Sequence, residues 1–465
     1  VPNTAERPNT AVTHPIAFPT QNTLIKGDVP VNHRSIRRLA VAAATTAVAA
    51  LLLAGCSASS SPAESSGPVK LTFTAWDPNM DKIVDVWNEE NPDIQVELVS
   101  PSENADELVT KWISQNPTGT NPDVVKAEYQ SLPALIANGV VVSLDDYTDV
   151  ASHYDPAALS LVQFDGKTYG VPQDFAPLVF FYRQDIFEAQ GLTVPTTWDE
   201  YAATARALHA ANPSQYLGTF SAGDPGWFAG LTQQAEANWW SADGDTWKVA
   251  VNDAASKKVA DYWNGLIGEG VIQSNPFWST QWNSEMNDGT LAGWISASWA
   301  PAQFPNIAAD TSGKWAAAAL PAWTAGDTTT GIWGGSAMAV TSNSKNPKEA
   351  AEFATWLNTS DEALSMQIKD INVYPAATSG RSLPELDAPP AFMPNQPDYY
   401  QLIGEIAPSA RSFDIWGPDA TVTFGAYRDG FSSALQNGTP LSAALDAMQT
   451  ATVDDMKKLG FTVKE

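Results

Sequence analysis

From Val69 onward, short apolar runs that alternate every two residues are interleaved with runs whose apolar residues recur at helical spacing, and this alternation restricts the chain to an α/β fold. Leu71, Phe73 and Ala75 alternate with Thr72 and Thr74 in a first strand. Asp77 is placed to cap the next helix and Pro78 to fill its first turn, and Met80, Ile83, Val84 and Trp87 form its apolar side. "IQVELV" (94–99) reads as a second strand and "DVVKA" (123–127) as a third, with Leu108, Trp112 and Ile113 marking a helix between them. Leu132, Leu135 and Ile136 face one way on a short helix closed by Gly139. After an Asp165-Gly166 turn, "YGVPQDFAPLVFFYRQDIF" reads as one near-continuous apolar strand, buried on both faces. Thr197 and Glu200 make a capping box, and Tyr262, Trp263, Leu266 and Ile267 line a helix that starts near Asn252. "GIWGGSAMAV" (331–340) runs from a glycine-rich turn into a buried strand, and Asn346-Pro347 opens a helix through Phe353 and Leu357.

The segment before this pattern has a different character. Arg34, Arg37 and Arg38 precede an uncharged run of 16 residues, Leu39 to Ala54. That is short of the roughly 20 apolar residues a spanning helix needs, and it has the basic and apolar regions of an export signal. Leu53-Ala54-Gly55-Cys56 resembles a bacterial lipobox. The resemblance implies cleavage before Cys56, the only cysteine of the chain, and acylation of its sulfur as a membrane anchor. An export signal with an incidental cysteine is the alternative. Ser57 to Pro68, rich in serine and alanine, reads as a flexible tether. Residues 1–32 are polar and aperiodic and stand upstream of a complete signal, so translation is expected to begin near the basic cluster.

From Cys56 on, 410 residues are enough for two domains, because single cores rarely grow past about 250 to 300. This part carries 20 Lys and Arg against 50 Asp and Glu, a net charge of −30. A phosphate-tracking protein needs the opposite sign, so nucleic acid is not an expected partner. A lone cysteine allows no disulfide framework. His153 and His209 are the only histidines after Cys56, and no metal-ligand spacing is present, so no metal or cofactor is expected. The chain also lacks GxxxxGK[ST] and GxSxG, which removes the simplest NTPase and serine-hydrolase readings.

Eighteen tryptophans exceed what a core of this size is expected to need, since each buried indole N–H wants a partner. Trp87, Trp112, Trp198, Trp263 and Trp356 sit in helical patterns and read as core. Trp227, Trp278, Trp299, Trp333 and Trp416 sit in polar or glycine-rich contexts and read as ligand-facing. An indole face can stack on the C–H face of a sugar ring, while carboxylates and amides fix its hydroxyls. Asp174, with Gln173 and Phe175, interrupts the long apolar run, and an acid there needs a reason.

"LTFTAWDPNMDKIVDVWNEENPDIQVELV", "NPDVVKAEYQSLPALIANGVVVSLDDY", "FDGKTYGVPQDFAPLVFFYRQDIFEAQGLTVPTTWDEY" and "GIWGGSAMAVTSNSKNPKEAAEFATWL" together resemble, in order and over nearly the whole mature chain, extracellular solute-binding protein family 1 of sugar ABC importers. The resemblance implies two α/β lobes of the periplasmic-binding-protein type, joined by crossing strands around an interlobe cleft. Lobe one is placed at 69–177 plus 335–375 and lobe two at 178–334 plus 376–465, with crossings at 178–183 and 331–335. Trp76 and Asp77 match the family's first binding loop and Glu128 and Tyr129 its second. Trp299 stands at the aromatic of a "GPW"-like turn, although this chain reads "ASW", and Gly334 and Tyr374 are further candidates.

The implied function is that of a monomeric, non-enzymatic receptor at the extracellular face of the bacterial membrane. It binds a neutral oligosaccharide and delivers it to a permease driven by separate ATPases. A polyamine or a peptide is the alternative ligand. A secreted glycoside hydrolase is the alternative class, but it needs a carboxyl pair about 5 to 9.5 Å apart, and no spacing nominates one.

Overall fold

The computed structural model describes residues 67–101 and 105–464. Cys56, the export signal and the tether up to Ser66 lie outside the described residues.

The first sheet has five strands in the order 94–99, 69–74, 124–128, 336–340, 171–172. The first three are parallel, and Ser336–Val340 runs antiparallel to both of its neighbours. Successive side chains of a strand point to opposite faces, so this sheet serves two cores. Val124, Met338 and Val340 join Leu71, Phe73, Trp87 and Phe353 on one side, while Val125, Ala127, Ala337 and Ala339 join Leu108, Trp112 and Leu135 on the other. The helix Met80–Glu90 buries Met80, Ile83, Val84 and Trp87, the four residues its spacing nominates. Its cap departs from expectation. Asn79 occupies the N-cap without a side-chain bond, and Asp77 turns instead to Lys126.

The second sheet is antiparallel, with Leu178–Arg183 between Gly293–Ala297 and Trp315–Ala319. Phe180 packs on Phe187 and Tyr201, and its neighbour Phe181 packs on Phe304 and Tyr399 across the sheet. The helix Trp198–Ala211 begins with the expected capping box. The C-terminal helices 420–437 and 441–458 pack on each other and add to this second, larger core.

The run "YGVPQDFAPLVFF" is therefore not one strand. Val171–Pro172 belongs to the first sheet and Leu178–Arg183 to the second. Pro172 and Pro177 lack the N–H a continuous ladder requires. The chain crosses between sheets at 173–177, ahead of the expected 178–183. Two further segments cross beside it. Phe175 N donates to Tyr374 O (3.1 Å), Ala376 N to Gln173 O (3.0 Å), and Trp333 N to Ala176 O (3.1 Å). Gly334 and Gly335 both take left-handed backbone, at φ 79° and 78°, which is nearly free only for glycine.

A glycine contact fixes where the second lobe meets these crossings. A Cβ on Gly331 would lie 1.8 Å from Gly230 O of the helix Pro225–Gln234. Gly331→Ala is accordingly expected to destabilise the protein by about 1–3 kcal/mol or more through overpacking, read as a lower denaturation midpoint. An unchanged midpoint would mean that this helix yields easily. Among the described residues, no helix is long and apolar enough to cross a membrane.

Candidate functional site

A cleft of about 360 Å³ lies where the two sheets and the crossing segments meet. This is within the range of roughly 300–1,000 Å³ common for small-molecule sites. Strand C-termini of an open α/β sheet are where ligands bind, and the first sheet supplies Trp76, Asp77, Lys126 and Glu128 from the ends of 69–74 and 124–128. The crossings supply Asp174, Trp333 and Gly334, and the strand 336–340 begins with Ser336 at the same edge. The second lobe supplies Asp224, Trp278, Trp299 and Gln303.

Four indoles shape the walls. Trp299 and Trp333 meet edge-on with centroids 4.9 Å apart, and Trp299 Nε1 donates to Trp333 O at 2.9 Å. Trp278 lies 6.3 Å from Trp299 and is 41% exposed, with its backbone at φ 66°. A large exposed indole held in a left-handed conformation is costly and marks a position arranged for contact. Trp76 faces them from the first lobe, with Lys126 Nζ 5.0 Å from its ring centroid.

The polar groups are mostly acids. Lys126 Nζ pairs with Asp77 Oδ1 at 2.5 Å, and both side chains are nearly buried. Asp77 Oδ2 is buried without a protein partner. Asp174 Oδ1 accepts from Ser336 N at 3.0 Å and Asp224 Oδ2 from Ser221 Oγ at 2.8 Å. Burial pushes both carboxyls up to about 6, against the lowering pull of Lys126 and the Ser336 N–H on Asp174 and of the Ser221 hydroxyl on Asp224. Glu128 Oε2 accepts from Gln130 Nε2 at 2.5 Å. Burial first, and the charge of Asp106 next, drive its carboxyl up to about 8.

Of the residues the sequence nominated, Trp76, Asp77, Glu128, Asp174, Trp278, Trp299, Trp333 and Gly334 come together here. Six do not reach the cleft. Trp227 is fully buried among Phe220, Trp263 and Phe277, and its Nε1 donates to Ile295 O at 3.0 Å. It sits inside the helix Pro225–Gln234 rather than in a loop. Gln173 is buried and bonds Gln367 at 2.8 Å. Tyr129 is buried with its hydroxyl donating to Asp174 O at 2.9 Å. Phe175 is half-buried beneath the Arg381 guanidinium, and Tyr374 is buried alongside Phe175, accepting its N–H. Trp416 packs on Phe413 and Trp240, beside a narrow space of about 10 Å³ that it shares with Tyr129. That is room for about one water.

Sequence reasoning passed over Lys126, Asp224, Gln303 and Ser336. Lys126 had a signal, being a charge inside the apolar run "DVVKA". In "GDPGWF" the cleft residue is the acid, not the tryptophan three positions later.

Beside the cleft an ion pair joins the lobes. Asp106, on the helix 105–115 of the first lobe, meets Arg428 of the helix 420–437, whose Nε also donates to Gly223 O at 3.2 Å. Both side chains are partly exposed, so the pair is worth about 1 kcal/mol or less. Arg428→Ala is expected to enlarge the radius of gyration of the unliganded protein in solution scattering, and high salt to do the same to the unsubstituted protein alone. Identical scattering curves would mean that the lobes are held without it.

Two α/β lobes with three crossing segments and an aromatic, acid-lined cleft define a solute-binding protein. The chain belongs to the bacterial extracellular solute-binding protein family, whose profile matches residues 72–363. It is 26% identical over 329 residues to the arabinooligosaccharide-binding protein of Bacillus subtilis (strain 168), covering 67% of this chain and 74% of that one. Its fold is similar to the ABC transporter associated binding protein from B. animalis subsp. lactis Bl-04, solved in complex with beta-1,6-galactobiose (TM-score 0.78, 25% identity, 86% of this chain and 100% of that chain). It is also similar to the galacto-N-biose-/lacto-N-biose I-binding protein of the ABC transporter from Bifidobacterium longum, solved with lacto-N-biose (TM-score 0.76, 28% identity, 86% and 100%).

Proposed function

We propose that this protein is the receptor of an ABC importer, binding a neutral oligosaccharide in the interlobe cleft and handing it to a membrane permease driven by separate ATPases. The observation that carries the reading is the pairing of Trp76 on one lobe with Trp278, Trp299 and Trp333 around carboxyl, amide and hydroxyl groups in one cleft. Relatives named for arabinooligosaccharide, and neighbours solved with disaccharides, support the same class.

In this reading the lobes divide at 69–177 plus 335–375 and 178–334 plus 376–465, a division supported by the crossings at 173–177, 331–335 and 373–376. Cys56 carries the lipid anchor that holds the receptor at the outer face of the membrane. The protein acts as a monomer and performs no chemistry on its ligand.

The test is thermal unfolding of the purified protein against mono- and oligosaccharides, polyamines and peptides. A ligand at 100 times its Kd stabilises by about 2.7 kcal/mol, so a raised Tm with one neutral oligosaccharide class, recovered unaltered, is expected. A shift with cations or peptides alone would refute the sugar reading, and altered sugar would refute the receptor reading.

A further inference from the structure

Six charged groups converge around Glu128. Asp106 faces it from the helix 105–115, Asp77 and Lys126 from the first sheet, Asp174 from the crossing segment, Asp224 from the second lobe, and Arg428 from the helix 420–437 through its bond to Asp106. The ion pairs in this group are Lys126 with Asp77 and Arg428 with Asp106. Glu128 takes part in neither. Among the described residues its carboxyl has one hydrogen-bond partner, Gln130, whose amide holds Oε2, while Oε1 faces the cleft edge at Gly334, 3.6 Å from where a Cβ would stand.

Carboxylates gathered in a desolvated site without matching cations do not all ionise. The proton settles on the one least stabilised as an anion. Asp77 has Lys126, Asp174 the Ser336 N–H and Asp224 the Ser221 hydroxyl, whereas Glu128 has the Gln130 amide and stands among the other acids. The Glu128 carboxyl is raised to about 8, while Asp174 and Asp224 are raised only to about 6.

We infer that Glu128 meets the ligand as a neutral carboxylic acid, donating its O–H to a ligand oxygen, while Asp77, Asp174 and Asp224 accept from the ligand's hydroxyls. The inference rests on the oligosaccharide reading and sharpens it, because the site then demands a ligand that both donates and accepts. A sugar hydroxyl does both. A polyammonium ligand only donates, so it would have to drive the proton off Glu128 before binding.

The experiment is calorimetric titration of the best-binding neutral oligosaccharide between pH 5 and 9, with the protein as isolated and with Glu128→Gln. Only the protonated form binds, and the apparent affinity scales with its fraction. With a carboxyl near 8, Kd is expected to weaken about tenfold from pH 7 to pH 9. Affinity should also decline below about 6 as Asp174 and Asp224 take up protons. Glu128→Gln keeps a neutral donor of the same shape. It is expected to bind at pH 7 within about threefold of the unsubstituted protein and to lose the alkaline limb.

A Kd flat from pH 7 to 9, or a hundredfold loss in Glu128→Gln with its unfolding midpoint unchanged, overturns the inference. Should that variant fail to fold, carbon-13 titration of the glutamate carboxyls in the unsubstituted protein decides. One signal titrating near 8 is expected, and all signals titrating below 6 would overturn the assignment. A signal near 8 in a protein that binds no sugar at any pH would instead overturn the oligosaccharide reading, and with it the donor role.

Discussion

Trp299→Ala is expected to weaken oligosaccharide binding about 30- to 150-fold, the loss of about 2–3 kcal/mol that marks a central aromatic anchor. The size follows from where the ring is held. Ser298 N donates to Pro177 O (3.1 Å) and its Oγ to Phe175 O (3.0 Å), so the residue before the indole is pinned to a crossing segment. The indole N–H is spent on Trp333 O, which leaves the ring as an oriented apolar plane between Trp333 and Trp278. Truncation removes the plane and unfastens Trp333. Trp299→Phe is expected to recover part of the binding, since it restores a stacking face without that hydrogen bond. The same substitution at Trp278, nearer the solvent, should cost less. Isothermal titration of the three variants checks the order, and equal affinity in all of them would remove the aromatic wall from the account.

Trp227→Ala should do the opposite, costing about 3–5 kcal/mol of folding free energy while leaving the Kd of the folded protein unchanged. Trp227 is enclosed by Phe220, Trp263 and Phe277 at centroid distances of 5.5, 5.3 and 5.4 Å. Its removal leaves a cavity and strands the carbonyl of Ile295. Chemical denaturation gives the stability change, and titration well below the Tm gives the affinity. A large loss of affinity without a loss of stability would return this tryptophan to the cleft.

The contrast between these two residues shows where the sequence was informative. Both stand in glycine- or proline-flanked contexts, "GDPGWF" and "ASWAP", and nothing local separates them. Ten of the eighteen tryptophans are fully buried, against the expectation that so many indoles must face a ligand. The core of the second lobe meets their polar demand internally in several cases, as when Trp239 donates to Ser256 Oγ and Trp315 to Thr311 Oγ1, both within 2.9 Å. Such partners are set by tertiary packing, which composition does not carry.

The first lobe was more legible. Its strands show period-2 patterning, and Trp76, Asp77 and Glu128 stand at or just past strand ends, so the resemblance to the family's loops could be laid onto readable strands there. Around the crossings the reading failed for a different reason. Gln173, Asp174 and Phe175 are consecutive, yet only Asp174 reaches the cleft, while Gln173 turns to Gln367 and Phe175 to Arg381. Three segments hydrogen-bonded side by side decide those directions, and two of the three lie more than 150 residues downstream. Lys126 stood out as a charge in an apolar run, but its pairing was hidden for the same reason, because its partner Asp77 lies 49 residues away on another strand end.

The most direct test of the central claim is a calorimetric titration of the purified protein with neutral di- and trisaccharides at pH 7, run in parallel on Trp299→Ala. Saturable binding of one such sugar, weakened at least 30-fold in the variant, is the predicted result. Binding of no neutral sugar, or binding that is indifferent to Trp299, would contradict the assignment of this cleft as an oligosaccharide site.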